Sequence, residues 1–399
     1  MVANAETILV RISGPDRPGI TAGFMDRLAV SGAGLQDVEQ VIIRGRLNLS
    51  MVIAVPKGQD LIKELLLYGW EQKIDVDFEV VEGGSPDRPL GLIVTVLGDD
   101  VDPAEFGAVA SAVASHGGNI ERIVRLAKYP VMAYELLVTG SDLELIREAL
   151  LGVANALVCD IAVQREGLGR RAARLIVLDV DSTLIQNEII DLLAEEAGCL
   201  VEVGEITERA MAGELDFGKS LEARVELLAG LDVAAARRAR ERVVFTPGAR
   251  TFIRTLQRLG FRTAIVSGGF TLLTDDLALE LGIDHSYANK LEVVDGHLTG
   301  RVEGQIVDRA AKATILRDLA QREGVSLDQV VAVGDGANDL DMLSAAGLGI
   351  AFNAKQIVRD AADMAVNVPY LDAILFVLGV RRGDIEAADA ALGGSPPNP

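Results

Sequence analysis

The stretch LIVLDVDSTLIQNE, residues 175–188, decides the fold of this chain. Leu175 to Leu178 form an apolar, β-favouring run that reads as a buried strand, and it passes directly into two closely spaced carboxylates, Asp179 and Asp181. Period-2 alternation puts both acids on one side of the chain at the carboxyl edge of a sheet, where open α/β sheets hold their ligands. Acids so close together at a strand end point to metal and phosphate chemistry. In isolation the same residues also read as a turn or as the cap of the next helix.

Three downstream segments favour the first reading: AIVSGGF at 264–270, IVDRAAK at 306–312 and VAVGDGANDLDM at 331–342. In the first, a strand delivers Ser267, Gly268 and Gly269, whose hydroxyl and unobstructed backbone N–H groups can close around phosphate oxygens. In the last, another apolar strand ends at Asp335, and with Asn338, Asp339 and Asp341 it supplies four oxygen-bearing side chains suited to a hard cation such as Mg²⁺. A solvated acidic turn is the plain alternative, and Lys312 alone reads as a surface lysine.

Taken together, the four segments resemble the signature of the haloacid dehalogenase superfamily over about Leu175 to Arg382. The resemblance implies a Rossmann-like α/β core with a helical cap. It also implies that Asp179 is the nucleophile, Asp181 the general acid and then base, and Ser267 (with Gly268 and Gly269) and Lys312 the phosphate binders. Asp179 and Asp335 would ligate Mg²⁺ through side chains and Asp181 through its carbonyl, with Asn338 and Asp339 supporting the site. Charge counting fits these roles. A phosphate dianion beside ionised Asp179, Asp335 and Asp339 totals about five negative charges, and neighbouring unit charges ~4 Å apart repel by ~4 kcal/mol at an effective dielectric of ~20. Mg²⁺ and Lys312 return three positive charges, and a protonated Asp181 can give its proton to the departing alkoxide, leaving an aspartyl-phosphate intermediate.

Substrate choice falls to the residues between the first two motifs. Residues 191–245 read helical, with a short polar segment at Asp216 to Ser220 and a breaker at Pro247-Gly248. Phe217 and Arg224 are seven apart, which places them on one face of a continuous helix. The run EITERAMAGELDFGKSLEARV resembles the cap of the phosphoserine phosphatase family. By that resemblance Arg224 holds the substrate carboxylate, Glu188 its ammonium group, and Met211 and Phe217 cover the ligand. An arginine fork matches a carboxylate, and an ammonium enclosed without an acid beside it is costly. The implied activity is Mg²⁺-dependent hydrolysis of O-phospho-L-serine to L-serine and phosphate, the last step of serine biosynthesis. Transfer of the phosphoryl group to homoserine or another hydroxyl stays open, and a non-catalytic amino-acid sensor is disfavoured by the paired Asp179 and Asp181.

Residues 1–165 have a separate, repeated organisation. Strands at about 7–13, 36–44, 47–55 and 74–81 with helices near 19–31 and 59–68 give a β-α-β-β-α-β order, and the same order recurs from Leu90 to Gln164. The Gly- and Pro-rich linker GGSPDRP at 83–89 separates the copies. GPDRPGIT at 14–21, followed by a helix and SGAGL, resembles the ACT domain, a ferredoxin-like module that commonly binds amino acids. The expected layout is therefore ACT domains at 1–83 and 89–165, a phosphatase domain at 174–382 and a tail at 383–399, disordered at its end after a short helix. The resemblance implies one mixed amino-acid site from Asp16, Gly19 and Asn119, with L-serine as product and regulator, and a homodimer formed through these modules. A purely assembly role for them is the alternative.

Composition agrees with a large enzyme. The 399 residues can bury two or three cores, and the net charge of −21 excludes nucleic acid and anionic membrane as natural partners. Mean hydropathy is +0.29, yet no run of 18 or more apolar residues occurs and the N-terminus lacks a basic start followed by an apolar core, so a cytoplasmic location is expected. Cys159 and Cys199 fall in different expected domains and read as reduced thiols. His116, His285 and His297 suggest neither a triad nor a zinc site.

Overall fold

A computed structural model describes residues 5–56, 60–81, 91–157, 159–167, 170, 172–211 and 214–391. The linker at 83–89 and the terminal GGSPPNP lie outside the described residues. The chain divides into two compact units, Met1–Arg88 and Pro89–Pro399.

In the first unit, β1 (Ala5–Pro15), α1 (Ile20–Ser31), β2 (Gly34–Ile43), β3 (Arg46–Pro56), α2 (Leu61–Gln72) and β4 (Asp75–Val80) build a sheet of order β2-β3-β1-β4. Alternation along β1 and β3 sends Ile8, Val10, Ile12, Leu47, Leu49, Met51 and Ile53 to one face. There they pack against Ile20, Phe24 and Leu28 of α1 and Leu61 and Leu65 of α2.

The second unit opens with the same plan: β5 (Leu92–Gly98), α3 (Pro103–Ser115), β6 (Asn119–Ala127), β7 (Met132–Thr139), α4 (Leu143–Ala156) and β8 (Asp160–Arg165), ordered β6-β7-β5-β8. The duplication read from the sequence is thus present in the topology. One face of this sheet packs on α3 and α4, while Leu97, Leu126, Ala127, Val131, Ala133 and Ala162 join a core that continues into the following α/β layer.

That layer is a seven-stranded sheet of order β12-β11-β10-β9-β13-β14-β15, formed by β9 (Leu175–Leu178), β10 (Arg262–Phe270), β11 (His285–Val294), β12 (His297–Glu303), β13 (Val330–Gly334), β14 (Leu348–Phe352) and β15 (Met364–Val366). All pairings are parallel except β11 with β12. Both faces are covered, as parallel sheets require. Leu175 and Val177 point into one core, Ile176 and Leu178 into the other, and each fully buried side chain contributes roughly 1.5–3 kcal/mol of hydrophobic stabilisation.

Between β9 and β10 lie α5 (Ile189–Ala197), α6 (Leu200–Met211), α7 (Phe217–Glu226), α8 (Ala234–Glu241) and α9 (Ala249–Arg258). Further along come α10 (Thr271–Leu281), α11 (Arg309–Glu323), α12 (Leu340–Ala345) and, at the end, α13 (Arg382–Ala391). The polar segment at Asp216 to Ser220 is the start of α7, capped by the Asp216 carboxylate accepting from Lys219 N at 2.9 Å. From β9 the chain winds outward through β10 and β11, then returns to β9's other side for β13 to β15. The carboxyl ends of β9 and β13 therefore form the topological switch point, the usual place for a ligand in such a sheet. Among the described residues no helix is long and apolar enough to cross a membrane.

Candidate active site

Strand β9 stops at Leu178, one residue short of the first acid. The chain then makes a wide turn at Val180–Leu184 in which Asp181 stays extended (φ −63°, ψ 131°) and Ser182 turns left-handed (φ 55°). Asp179 N donates to Val333 O of β13 at 2.9 Å, so the ladder itself fixes the first carboxylate at the switch point. Asp179 is 3 % exposed. Its Oδ1 accepts from Val180 N at 2.7 Å and lies 2.8 Å from Lys312 Nζ, which also reaches Asp339 Oδ1 at 2.7 Å. Lys312 is fully buried, one turn into α11, whose start is fixed by Asp308 accepting from Ala311 N at 2.8 Å.

Asp181 is held at both oxygens: Ile189 N donates to Oδ1 at 2.7 Å and Ser267 Oγ donates to Oδ2 at 2.9 Å. Gly269 N donates in turn to Ser267 Oγ at 2.7 Å. Close approach favours glycine at both positions. A Cβ on Gly269 would stand 2.9 Å from Ser267 Oγ and 3.1 Å from Asp181 Oδ2, and one on Gly268 would meet Phe217 Cζ at 3.3 Å.

Asp179, Asp335 and Asp339 each bring a carboxylate oxygen within 4.8 Å of the others. Both oxygens of Asp339 are engaged, Oδ1 by Lys312 and Oδ2 by Gly336 N at 3.0 Å, and Asp335 Oδ1 accepts from Thr183 Oγ1 at 3.2 Å. Asp179 Oδ2 and Asp335 Oδ2 accept no hydrogen bond among the described residues, so they are the oxygens open to a cation. The third acid of that motif is elsewhere. Asp341 pairs with Arg309 at the surface, because two residues along the helical turn rotate a side chain by about 200° away from Asp339. Asn338 is half-buried, with its amide oxygen above Gly336.

Above this floor stand the cap residues. Glu188 precedes α5 and accepts from Ser182 Oγ at 2.8 Å. Phe217, the first residue of α7, lies over Gly268. Arg224, on the same helix, commits only Nε among the described residues, donating to Ser220 O at 3.2 Å. Met211 ends α6, and its side chain lies outside the described residues.

The carboxyls carry the electrostatic mark of a crowded, partly dehydrated cleft. Burial, and then the neighbouring Asp339, hold Asp179 well above the usual carboxylate range against the pull of Lys312. Burial also raises Asp181, opposed by the bonds from Ile189 N and Ser267. Asp335 is pushed up to about 6 by burial and Asp339. Glu188, in a solvent-reachable cleft but with protein on most sides, is pushed up to about 7 by burial and the Asp181 charge. Burial opposes the charge on Lys312, yet Asp179 and Asp339 more than restore it. Desolvation lowers Arg224 while Asp191, Glu188 and Asp181, in that order, support its charge. Five acids against one buried lysine leave a negative excess that a divalent oxygen-loving cation would offset.

Sequence reading missed Asp191, which faces Arg224; Thr183, which orients Asp335; and Asn289, which is 1 % exposed and binds the Gly268 loop. The one signal for Asn289 was an asparagine inside a strand, where that residue is depleted. Of the ACT residues, Asp16 and Gly19 are exposed in the first unit and Asn119 opens β6 in the second.

Residues 176–344 match the haloacid dehalogenase-like hydrolase model, and residues 6–79 and 92–164 each match an ACT domain. The fold and site thus define a capped haloacid dehalogenase-like hydrolase preceded by two ACT domains. The phosphoserine phosphatase of Streptomyces coelicolor is 52 % identical over 100 % of this chain and 98 % of its own length. The phosphoserine phosphatase SerB2 of Mycobacterium tuberculosis is 47 % identical over 96 % of each chain. Among solved structures, a probable phosphoserine phosphatase from Vibrio cholerae superposes with a TM-score of 0.57 at 36 % identity, over 72 % of this chain and 86 % of that one. The chain belongs to the phosphoserine phosphatase family.

Proposed function

We propose that this chain hydrolyses O-phospho-L-serine to L-serine and phosphate, with Asp179 as nucleophile. The observation that supports this most directly is the placement of a cap cation, Arg224, and a cap anion, Glu188, within electrostatic reach of Asp181 in the cleft above Asp179. Such a pair suits a zwitterion attached to a phosphate. In the first half-reaction the Asp179 carboxylate attacks phosphorus to form an aspartyl-phosphate, and the serine oxygen leaves with the proton of Asp181, whose raised pKa keeps that proton available. In the second half, ionised Asp181 takes a proton from the attacking water, and phosphate departs. Lys312 and the Ser267 hydroxyl, itself held by the Gly269 N–H, balance phosphoryl charge. Mg²⁺ fits the two free oxygens of Asp179 and Asp335, with Asp339 and Asn338 in support; it would supply positive charge against the phosphoryl oxygens.

We assign amino-acid feedback, with L-serine as the ligand, to the ACT domains, in a homodimer formed through them. Asp16 is exposed and makes no side-chain bond among the described residues, whereas its counterpart loop spends Asp102 on capping α3, where it accepts from Ala104 N at 2.7 Å and Glu105 N at 2.8 Å. Asp102 is thus committed to its helix, whereas Asp16 is not. Phosphate release from a panel of phosphorylated amino acids and sugars, with and without homoserine, tests the catalytic reading. Phosphoserine should lead the panel by a wide margin with homoserine unmodified; phosphorylated homoserine as the main product would make the chain a transferase.

A further inference from the structure

We propose that Asn289 is a positioning residue that locks the Gly268–Gly269 peptide and, through the Gly269 N–H that donates to Ser267 Oγ, holds the serine hydroxyl in place at the phosphate site. Strand β10 departs from register with β11 between Val266 and Phe270, so Ser267, Gly268 and Gly269 leave the ladder where the site begins. The Gly268 carbonyl would lose its partner there. Instead Asn289 Nδ2 donates to it at 2.7 Å, while Asn289 Oδ1 accepts from Val307 N at 2.8 Å. A carbonyl can only accept and an N–H only donate, so the amide has one possible orientation.

Peptide planarity carries the argument to the site. In a trans peptide the C=O and the following N–H point in opposite directions. Drawing Gly268 O towards Asn289 therefore turns Gly269 N–H towards Ser267 Oγ, 2.7 Å away, and that hydroxyl donates to Asp181 Oδ2 at 2.9 Å. A Gly-Gly peptide has little intrinsic resistance to flipping, and no Cβ on either side opposes it. The second bond acts on another motif: Val307 directly precedes Asp308, the cap of the helix that carries Lys312. A single buried amide thus ties the serine loop to the lysine helix.

Asn289→Asp separates the two bonds. It keeps the volume and the acceptor for Val307 N but sets an oxygen against the Gly268 carbonyl. This inference rests on the proposed activity, so turnover of phosphoserine and equilibrium binding of inorganic phosphate in the presence of Mg²⁺ are both read on the full chain. Expected is a loss of about 100-fold in kcat/KM, the scale of a misplaced catalytic donor, with phosphate binding weakened in parallel. Because Asn289 acts through the serine loop, the same substitution in a Ser267→Ala background should cost less than about threefold. Leu291→Ala, a buried change on the same strand, should lower Tm and leave kcat/KM within about threefold. Full additivity with Ser267→Ala, or an equal kinetic loss in Leu291→Ala, overturns the proposal. If Asn289→Asp does not fold, Asn289→Ala enters the same cycle with the same criteria. A parent that binds phosphate but leaves phosphoserine intact would fault the activity, and the binding arm would still decide the role of Asn289.

Discussion

Replacing Arg224 with alanine should separate substrate recognition from chemistry. In the free protein the terminal guanidinium nitrogens make no ion pair within 4 Å among the described residues, and only Nε is committed, to Ser220 O. The cation is partly desolvated and sustained by Asp191, Glu188 and Asp181 without being quenched by any of them. A fork so held can make two charge-assisted bonds to a carboxylate. Each is worth roughly 1.5–3 kcal/mol, and some of that is recovered when water enters the truncated site, so a net loss of about 3–4 kcal/mol is expected. At 1.36 kcal/mol per factor of ten this is roughly 10²- to 10³-fold in kcat/KM for phosphoserine. An aryl phosphate has no carboxylate and should lose less than about threefold. Steady-state kinetics on both substrates, with Tm as a check on folding, give the comparison. Equal losses on the two substrates would make Arg224 structural and refute the recognition argument.

Three further outcomes follow from the geometry. Asp181→Asn keeps an acceptor for Ile189 N but cannot exchange a proton, so turnover should fall by orders of magnitude while circular dichroism is unchanged. Asp335 and Glu188 have folded-state values of about 6 and about 7, above the roughly 4 expected when unfolded, so the folded protein binds extra protons between those limits and gains stability as pH falls. The metal-stripped protein should therefore melt higher at about pH 5.5 than at about pH 8; Mg²⁺ or Asp335→Asn should shrink that gap, and an unchanged gap in both counts against the metal site. Serine should bind parent protein more tightly than Asp16→Ala, with the Tm of the two nearly equal because Asp16 is exposed and unpaired; equal binding makes the ACT domains assembly elements. Gly19→Ala is a poorer probe, since a methyl there meets nothing within 4 Å and φ of +91° strains the backbone instead.

Parts of the site that rest on short-range chemistry were legible in the sequence. A strand ending in Asp179 and Asp181, a serine before two glycines, and an acid-rich turn after a strand each state their use locally. Lys312 was reached only through the family resemblance, because its burial depends on how α11 meets the sheet, and nothing in DRAAK separates it from a surface lysine. Asp341 misled because a count of acids ignores the rotation of a helical turn. The ACT duplication showed in period-2 alternation, but the second module's shared core with the α/β layer did not. Ala133 and Ala162 are as apolar in a free module as in a docked one, and pattern alone does not say which sheet face finds a partner.

The central claim is that Asp179 accepts the phosphoryl group. Acid quench of the parent during turnover of phosphoserine, followed by peptide mass spectrometry, should place one phosphate on the peptide containing Asp179, and the Asp179→Asn protein should show neither the adduct nor measurable turnover. Near-normal turnover by Asp179→Asn, or a phosphate trapped on a different residue of the parent, would contradict it.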